Sequence, residues 1–498
     1  MLKDMAGPQT RIWQIAAAVS LVTTLLAMLF RPLWLDEYWT LFISGYDTTW
    51  PETFSVRMNN DIHPPLIYYP LHVGMALFQS DLAARMLNWI YLAGGFALAA
   101  WIGRDRPRET ALYLFLSVTA FWFTFYAVEI RNYALLYALS IASVPALRRA
   151  IEGERLNLRW LAPWTLLSMA TGLTHYYGTL WAASTGLVAG ISMLAARRPA
   201  DFLLIGIASV IAVAPALAFA LAVDFSARAQ SAHITGYDLS WAERMRSASM
   251  QVVRAIAGKT FLANVPAWIA AIMAAPLVFS RRERNDWALV VPPVLVIAIS
   301  LGVMAVTLSD MRERSFTPII PPLLYFCARG LAEAQEKGGR AAWVARLAPW
   351  AALLAPILFI PEHFKDRQRY PEVRAYLEES HSCSNEPVLA ALIWIPQAEG
   401  FPPWYARHAL APTGGGPPAL IDAPKATMRD IAGVMASPCP VKALALGMAR
   451  GDGEEHQRAR DQLRAAGLPL DQLEELNLGG GRNRLFVTHG YATATHGN

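Results

Sequence analysis

Charged residues are scarce in this chain, since Asp, Glu, Lys and Arg together make up only 16% of its 498 residues. Soluble globular proteins carry about 25% charged residues, and 55% of this chain is hydrophobic. Internal repeats, low-complexity tracts and a metal-ligand spacing are also missing from the sequence. The scarcity of charge excludes an ordinary soluble protein and indicates a chain that lies mostly in a membrane.

Apolar runs that approach the length of a membrane span recur along the chain. A transmembrane helix needs about 20 mostly apolar residues. Eleven runs come near this length: 13–30, 84–103, 111–127, 134–147, 160–173, 178–195, 202–221, 263–280, 287–308, 315–330 and 347–361. The sequence therefore predicts an all-α polytopic membrane protein with about eleven transmembrane helices.

Basic residues fall on alternate sides of these spans. With the N-terminus in the cytoplasm, the inner loops hold Arg104, Arg106, Arg108, Arg148, Arg149, Arg155, Arg159, Arg197, Arg198, Arg281, Arg282, Arg284, Lys337, Arg340 and Arg346. The short outer loops hold only Arg131, Arg312 and Arg314. By the positive-inside rule this predicts a multi-pass membrane protein with a cytoplasmic N-terminus. The formal net charge of +5 then reflects orientation, and it does not indicate nucleic-acid binding.

The predicted topology divides the chain into two domains. Residues 1–361 form the transmembrane domain, with a first outer loop at 31–83 and a second outer segment at 222–262. Within the first loop, the apolar segment Pro64–Phe78 predicts a helix that lies in the interface or re-enters the membrane. In residues 362–498, alternating strand and helix patterns predict a small α/β extracytoplasmic (periplasmic) domain. Its predicted strands are 388–393, 441–446 and 484–488, and its predicted helices are 371–379 and 454–466.

The three cysteines are consistent with this arrangement. Cys327 falls within a predicted membrane helix, whereas Cys383 and Cys439 both fall in the outer domain. An oxidising compartment permits a disulfide between them, but the sequence does not supply the distance that decides it.

Two acidic motifs stand in the first outer loop. Asp36 and Glu37 are surrounded by Tyr38 and Trp39, as is common in sugar sites, although an acidic pair here can also simply solvate the end of the first helix. Asp61 and His63 stand before Pro64-Pro65, a pattern that by itself is also a turn starting a helix. A carboxylate at the membrane boundary can have its pKa tuned for general-base catalysis.

Three further outer-face motifs carry polar side chains. These are Glu129-Ile-Arg131-Asn-Tyr133, Thr174-His175-Tyr176-Tyr177 and Asp310-Met-Arg312-Glu-Arg314. Ion pairing within a loop is the plain alternative for the first, and a lone histidine is most often structural. In the third motif, Arg312 and Arg314 lie on the predicted outer face, against the positive-inside trend. This indicates an anionic ligand such as phosphate.

Together these motifs resemble the bacterial GT-C membrane glycosyltransferases of the protein O-mannosyltransferase and aminoarabinose-transferase type. The resemblance covers roughly residues 10–330. It rests on Leu35-Asp36-Glu37-Tyr38-Trp39 and Asp61-Ile-His63-Pro64-Pro65-Leu-Ile-Tyr68-Tyr69, with support from Arg131-Asn-Tyr133, Thr174-His175-Tyr176-Tyr177 and Arg314-Ser-Phe-Thr-Pro318.

The resemblance implies an inverting enzyme of a bacterial inner (plasma) membrane that transfers a sugar from a polyprenyl-phosphate donor to an extracytoplasmic lipid, glycolipid, polysaccharide or protein. It implies that Asp36 is the general base, that Glu37 assists or positions, and that Asp61 lines the same catalytic pocket with His63. It also implies donor-phosphate contacts from His63, Arg131, Arg312 and Arg314. The expected substrate pocket is lined by Tyr38, Trp39, Tyr68, Tyr133, His175 and Tyr176. No cofactor is required by the resemblance, and a divalent metal between Asp36, Asp61, His63 and His175 is left open.

Other functions are weighed against this one. A transporter or flippase of lipid-linked sugars would place ionisable residues near the bilayer midplane and often carries inverted repeats. Another lipid-processing transferase, such as a phosphotransferase or a polymer ligase, and a purely structural role are further alternatives. The sequence does not identify the sugar, the acceptor or the oligomeric state.

Overall fold

The computed structural model describes most of the chain. The described residues are 8–58, 61, 63–222, 241–257, 287–306, 313–338, 342–343, 345–363, 370–379, 383, 385–392, 401–410, 418–446, 453–478 and 483–490. Contacts between residues divide the chain into two compact units. The first unit comprises 1–30 and 46–364, and the second comprises 31–45 and 365–498. A short piece of the first outer loop therefore belongs by its contacts to the C-terminal unit.

Helices dominate the first unit. Within the described residues of both units, the α-helices of five or more residues are, in chain order, α1 (Pro8–Phe30), α2 (Leu35–Ser44), α3 (Tyr68–Phe78), α4 (Asp81–Ile102), α5 (Pro107–Thr119), α6 (Phe121–Tyr126), α7 (Tyr133–Ile151), α8 (Leu158–Thr174), α9 (Tyr176–Ala195), α10 (Pro199–Ala222), α11 (Trp241–Ala257), α12 (Trp287–Val306), α13 (Ile320–Lys337), α14 (Ala348–His363), α15 (Tyr370–Glu379), α16 (Phe401–Tyr405), α17 (Met428–Ala436) and α18 (Gly453–Ala465). A single α-helical turn covers Trp50–Glu52, π-helices cover Thr53–Arg57 and Ala406–Leu410, and 3-10 helices cover Pro65–Ile67, Glu313–Ile319, Ala423–Lys425 and Leu470–Gln472.

Several of these helices are long and apolar enough to cross a membrane. Among the described residues they are Gln9–Phe30, Asp81–Ile102, Tyr133–Ile151, Tyr176–Ala195 and Pro199–Ala222. Shorter apolar helices cover Pro65–Phe78, Trp287–Val303 and Ala348–Leu358. The prediction of a mostly helical protein with several apolar helices is confirmed, while the number of eleven spans stays a prediction because 263–280 lies outside the described residues.

One predicted span is divided in two. The run 111–127 forms α5 and α6, which are separated at Ala120, whose backbone is extended with φ −69° and ψ 147°. The next-to-last predicted run also differs from the prediction, since 315–330 begins as a 3-10 helix and becomes α-helical only at Ile320. Hydropathy does not register such changes in backbone conformation, because the side chains remain apolar on both sides of the break.

Close helix packing places α7 in the interior of the first unit. Most α7 side chains are buried, and Gly95 of α4 lies against it. A Cβ built on Gly95 would come within 2.8 Å of the Ala138 Cα, so only a glycine permits this approach. Small residues serve the same purpose at helix contacts in membranes, where packing rather than hydrophobicity drives association.

A network of charged side chains joins α5, α7 and α13. Glu109 in the first turn of α5 lies 3.8 Å from Arg148 of α7 and 3.5 Å from Arg329 of α13. Arg106 lies 3.7 Å from the same carboxylate. Arg106, Glu109 and Arg148 belong to loops that the charge count predicts to be cytoplasmic, whereas Arg329 lies within the predicted span 315–330. Their contacts fix the relative positions of α5, α7 and α13.

The second unit contains one five-stranded sheet. Its strands are β1 (Pro387–Leu392), β2 (Ala419–Asp422), β3 (Val441–Leu446), β4 (Leu473–Leu478) and β5 (Asn483–Thr488), in the order β2-β1-β3-β5-β4. The pairs β1–β2 and β1–β3 are parallel, whereas β3–β5 and β4–β5 are antiparallel. Three strands lie on the predicted runs, and β2 and β4 were not predicted.

A disulfide joins Cys383 and Cys439, whose Cα atoms are 4.6 Å apart. The two cysteines precede β1 and β3, so the bond ties the beginnings of two neighbouring strands. Cys327 is a buried free cysteine in α13. The structure thus supplies the proximity that the sequence left open.

Breaking this disulfide is expected to destabilise the second unit. The bond closes a sequence separation of 56 residues, for which the chain-entropy model gives about 4 kcal/mol. We expect Cys383→Ser to lower the Tm of the purified protein by several degrees, and a reductant to produce the same shift in the parent.

Cys327→Ala is the matched control, because it removes a thiol that forms no disulfide. Its response to reductant should equal that of the parent. An unchanged Tm for Cys383→Ser would show that the bond does not contribute to stability.

Candidate functional site

The Asp61 carboxylate organises one part of the first unit. Asp61 is only 3% exposed, and it accepts hydrogen bonds from the Tyr68 hydroxyl and from His63 Nδ1, which lies 3.2 Å from Oδ1. An ionised carboxylate only accepts hydrogen bonds, so Nδ1 of His63 carries a proton.

Local sequence explains why Tyr68 returns to Asp61. Pro64 is extended, with φ −62° and ψ 156°, and Pro65 starts the 3-10 helix Pro65–Ile67 that leads into α3. The proline ring fixes φ and favours a first helical position, where the missing N–H is not needed. This turn places Tyr68 at the start of α3, where its hydroxyl reaches the carboxylate.

His175 lies at the junction of α8 and α9. Its backbone is extended, with φ −160° and ψ 140°, and its Nδ1 accepts a hydrogen bond from the Tyr177 N–H at 3.1 Å. A backbone N–H can only donate, so Nδ1 is unprotonated and a neutral ring carries its proton on Nε2. The His175 ring lies 5.2 Å from the His63 ring and 5.9 Å from the Tyr133 ring, measured between centroids.

The surroundings of His175 are electropositive. Burial, followed by the charges of His63, Arg131 and Arg314, holds the pKa of His175 well below its ordinary value. The imidazole is therefore neutral at pH 7 and offers an uncharged N–H donor. Two guanidinium groups and two imidazoles in one region form an arrangement suited to an anion.

The loop that carries Arg131 is held in place by amide side chains. Asn88 of α4 donates to the Glu129 carbonyl, and Asn132 donates to the Thr174 carbonyl at 3.1 Å. Thr174 is the last residue of α8, directly before His175. These bonds join the Arg131 loop to the His175 junction, although the two segments are separate in sequence.

Arg314 reaches the same region from the 3-10 helix Glu313–Ile319. Its guanidinium lies 5.7 Å from the centre of the Tyr133 ring, which is a cation–π distance. Tyr176 is the half-buried first residue of α9. The structure thus brings together seven of the predicted site residues in the first unit: Asp61, His63, Tyr68, Arg131, Tyr133, His175 and Arg314. Arg312 lies outside the described residues.

The aromatic residues Tyr126, Tyr177 and Phe316 also line this region but were not among the predicted site residues. Tyr126 lies 4.9 Å from Tyr133, and Tyr177 lies 5.7 Å from His175 and 5.6 Å from Phe316. Tyr177 follows His175 by two residues in the motif Thr174-His175-Tyr176-Tyr177, so the motif already indicated it. Tyr126 ends an aromatic run that carries no polar signal.

The first acidic motif belongs to the second unit. Glu37 is fully buried, lies 3.1 Å from Arg31 and accepts a hydrogen bond from the Trp34 N–H. Its carboxylate thus stabilises the N-terminus of α2, where negative charge is favoured. Asp36 is only partly buried, and its carbonyl accepts a hydrogen bond from Thr40. Of the two carboxylates, Asp36 is the one that solvent reaches.

Tyr38 and Trp39 are buried in packing contacts within the second unit. Tyr38 packs edge-on against Tyr405, and Trp39 packs edge-on against Phe401. Their predicted part in a substrate pocket stays a prediction. The sequence left a divalent metal open, and among the described residues no group of three or more His, Cys, Asp or Glu side chains converges as ligands.

Comparison with known proteins gives matches in structure but not in sequence. No protein-family model and no curated protein matches this chain. ArnT from Cupriavidus metallidurans, solved bound to undecaprenyl phosphate, matches with a TM-score of 0.53 and 13% identity over 95% of this chain and 97% of ArnT. The oligosaccharyltransferase AglB from Archaeoglobus fulgidus, in complex with an inhibitory peptide and a dolichol-phosphate, matches with a TM-score of 0.48 and 12% identity over 92% of this chain and 68% of AglB.

Sequence identity at this level is informative about fold alone. The match to ArnT extends over nearly the full length of both chains, and it agrees with the fold that the sequence motifs predicted. This protein therefore has the fold of the GT-C glycosyltransferases.

Proposed function

We propose that this protein is an inner-membrane glycosyltransferase that moves a sugar from a polyprenyl-phosphate donor to an acceptor outside the cytoplasm. The observation that carries the proposal is the electropositive cluster of His63, His175, Arg131 and Arg314 in a chain of GT-C fold. ArnT was solved with undecaprenyl phosphate bound, and a cluster of this chemistry suits the phosphate of such a carrier.

The proposed reaction is an inverting displacement at the anomeric carbon. Asp36 accepts the proton of the acceptor hydroxyl, and the acceptor oxygen forms the new glycosidic bond to the anomeric carbon. The bond between the anomeric carbon and the phosphate oxygen breaks, and polyprenyl phosphate leaves with the electron pair. Arginine forks and imidazole N–H groups stabilise the negative charge that accumulates on the departing phosphate.

Each member of the cluster has a proposed part in binding the phosphate. Arg131 and Arg314 supply charge, and His175 supplies an uncharged Nε2–H donor. His63 would donate from Nε2 when that nitrogen is protonated, with Asp61 holding the ring through Nδ1. Asp61 is thus assigned to orient His63, and Glu37 is assigned to hold the N-terminus of α2 rather than to react.

The proposed orientation has independent support from the second unit. Disulfides persist in oxidising compartments outside the cytoplasm, and the second unit holds the Cys383–Cys439 bond. This supports an extracytoplasmic second unit and hence an acceptor drawn from the cell envelope, whether lipid, glycan or protein.

Replacing Asp36 tests the general base. We expect Asp36→Asn to lower transfer by about 100-fold or more without a change in Tm, because the amide cannot take the proton. Transfer is measured with purified protein in nanodiscs, a panel of radiolabelled polyprenyl-phosphate sugars and a membrane extract as acceptor.

Asp430→Asn is the control for this substitution, since Asp430 is an exposed carboxylate in the first turn of α17. It should transfer label as the parent does. Equal transfer by Asp36→Asn and the parent would remove Asp36 from the mechanism.

Replacing Arg314 tests the phosphate cluster. A hydrogen bond to a charged group contributes about 1.5–3 kcal/mol, so Arg314→Gln should weaken the binding of sugar-free undecaprenyl phosphate by about 10- to 100-fold. Binding is measured by competition with radiolabelled undecaprenyl phosphate in nanodiscs. Arg159→Gln, at the exposed start of α8, should bind as the parent does, and an equal loss in both variants would contradict a specific site.

Acidification tests the neutral state of His175. The folded-state pKa is lowered relative to the unfolded value, so the folded state binds fewer protons than the unfolded chain. The stability that the neutral ring contributes is fully present above about pH 6.5 and is lost as the pH falls toward the folded-state pKa, at about 1.4 kcal/mol per pH unit. The Tm of the parent should therefore fall more between pH 7.5 and 5.5 than the Tm of His175→Gln. Identical pH profiles would show that His175 is not held neutral.

A further inference from the structure

The helix that carries Asp36 is packed against a distant segment of the chain. Trp39 and Phe42 of α2 lie 5.0 Å and 5.1 Å from Phe401 between ring centroids, and Phe42 lies 5.7 Å from Trp404. Tyr38 lies 5.6 Å from Tyr405, edge to face. One side of α2 is thus an aromatic surface fitted to α16, within the second unit.

These ring contacts decide where α2 lies. The helix has only 10 residues, and isolated helices shorter than about 12–15 residues are marginal in water. Its stability must therefore come from packing. Aromatic pairs in these geometries each add about 0.5–1.5 kcal/mol beyond the burial of their area, so the four pairs hold α2 firmly against α16.

The segment that receives α2 is itself anchored in the second unit. The π-helix Ala406–Leu410 follows α16 directly, and the Arg374 guanidinium of α15 donates to the Ala409 carbonyl at 3.0 Å. The His408 ring stacks on Trp404 at 3.9 Å, and its Nδ1 bonds to the Trp404 carbonyl at 2.7 Å. Bonds and ring contacts therefore connect α15, α16 and α2 in series.

Asp36 is coupled to this packing by the rigidity of α2. It lies one helical turn before Trp39, and the N-terminus of the helix is fixed by Glu37 with its Arg31 and Trp34 partners. A shift of α16 would therefore move the Asp36 carboxylate with the helix. Misplacement of a reacting group by about 1 Å can cost about 100-fold in rate.

We propose that Phe401, Trp404 and Tyr405 are positioning residues that hold the Asp36 carboxylate in its reactive place. The second unit then contributes to catalysis by holding Asp36 in position. This inference rests on the proposed role of Asp36 as general base. It assigns a function to a segment that carries no sequence motif of its own.

The test compares two equivalent core truncations in the second unit. Phe401→Ala removes the ring that contacts both Trp39 and Phe42, whereas Phe486→Ala removes a ring of β5 that packs in the separate core of the sheet. Both should lower the Tm, because truncating a buried Phe removes packing contacts and leaves a cavity. Only Phe401→Ala should lower kcat per folded molecule, by about 10- to 100-fold, with the KM for the polyprenyl-phosphate sugar within about twofold of the parent.

A double variant provides a readout that general destabilisation would not produce. If Phe401 acts only through Asp36, then Phe401→Ala should have no further effect on the residual activity of Asp36→Asn, so the two losses are not additive. Phe401→Leu keeps most of the buried volume and should recover most of the lost kcat. If Phe401→Ala does not fold, Tyr405→Leu removes the ring that packs edge-on against Tyr38 and should lower kcat instead.

The outcomes separate this inference from the proposed function. Unchanged kcat in Phe401→Ala, or in Tyr405→Leu where Phe401→Ala does not fold, with Asp36→Asn inactive, would overturn the positioning role alone. An equal fall of kcat in Phe401→Ala and Phe486→Ala would also overturn it, as would additive losses in the double variant. Full activity of Asp36→Asn would overturn the base assignment and the positioning role with it.

Discussion

Burying a charged group among apolar helices is costly, and this cost determines how the polar residues of this protein are arranged. A carboxylate removed from water needs a cation or several hydrogen bonds to offset its lost hydration. Glu37 obtains them from Arg31 and the Trp34 N–H, and Asp61 obtains them from His63 and Tyr68. Each buried acid therefore fixes the chain segments around it, because its partners come from the same short motif.

Burial acts differently on the basic groups of the site. A buried imidazole among cations gives up its charge, as His175 does, but it keeps one N–H and can still donate. A guanidinium cannot be deprotonated in proteins, so Arg131 and Arg314 stay charged. The cluster therefore mixes fixed charge with an uncharged donor, and in the proposed function it would meet an anion without concentrating four positive charges in one place. A leaving group held this way can be stabilised and still be released.

Local motifs were the part of the site that the sequence could predict. The pattern from Asp61 to Tyr68 contains its own turn, because the two prolines dictate the backbone and bring the hydroxyl back to the carboxylate. The contact of His63 with His175 joins loops far apart in the chain, and only their shared side of the membrane was readable in advance. Apolar runs likewise predicted the long helices, but they gave no sign of the break at Ala120, since both flanks are equally apolar.

Contacts between α2 and α16 were beyond the reach of sequence reasoning for a physical reason. Aromatic rings can pack against many other rings, so the sequence around Trp39 and Phe42 does not identify Phe401 as their partner. The entropy of closing a long loop rises only with the logarithm of its length, so a partner more than 300 residues away costs little more than a near one.

The placement of α2 also has a consequence for assembly. Ten residues with an aromatic face and a charged N-terminus have no stable structure until a surface receives them. In this chain that surface is α16, which depends in turn on α15 through the Arg374 bond to Ala409. Residues 31–45 come early in the chain but belong by their contacts to the second unit, so we expect α2 to become stable only when α16 is in place.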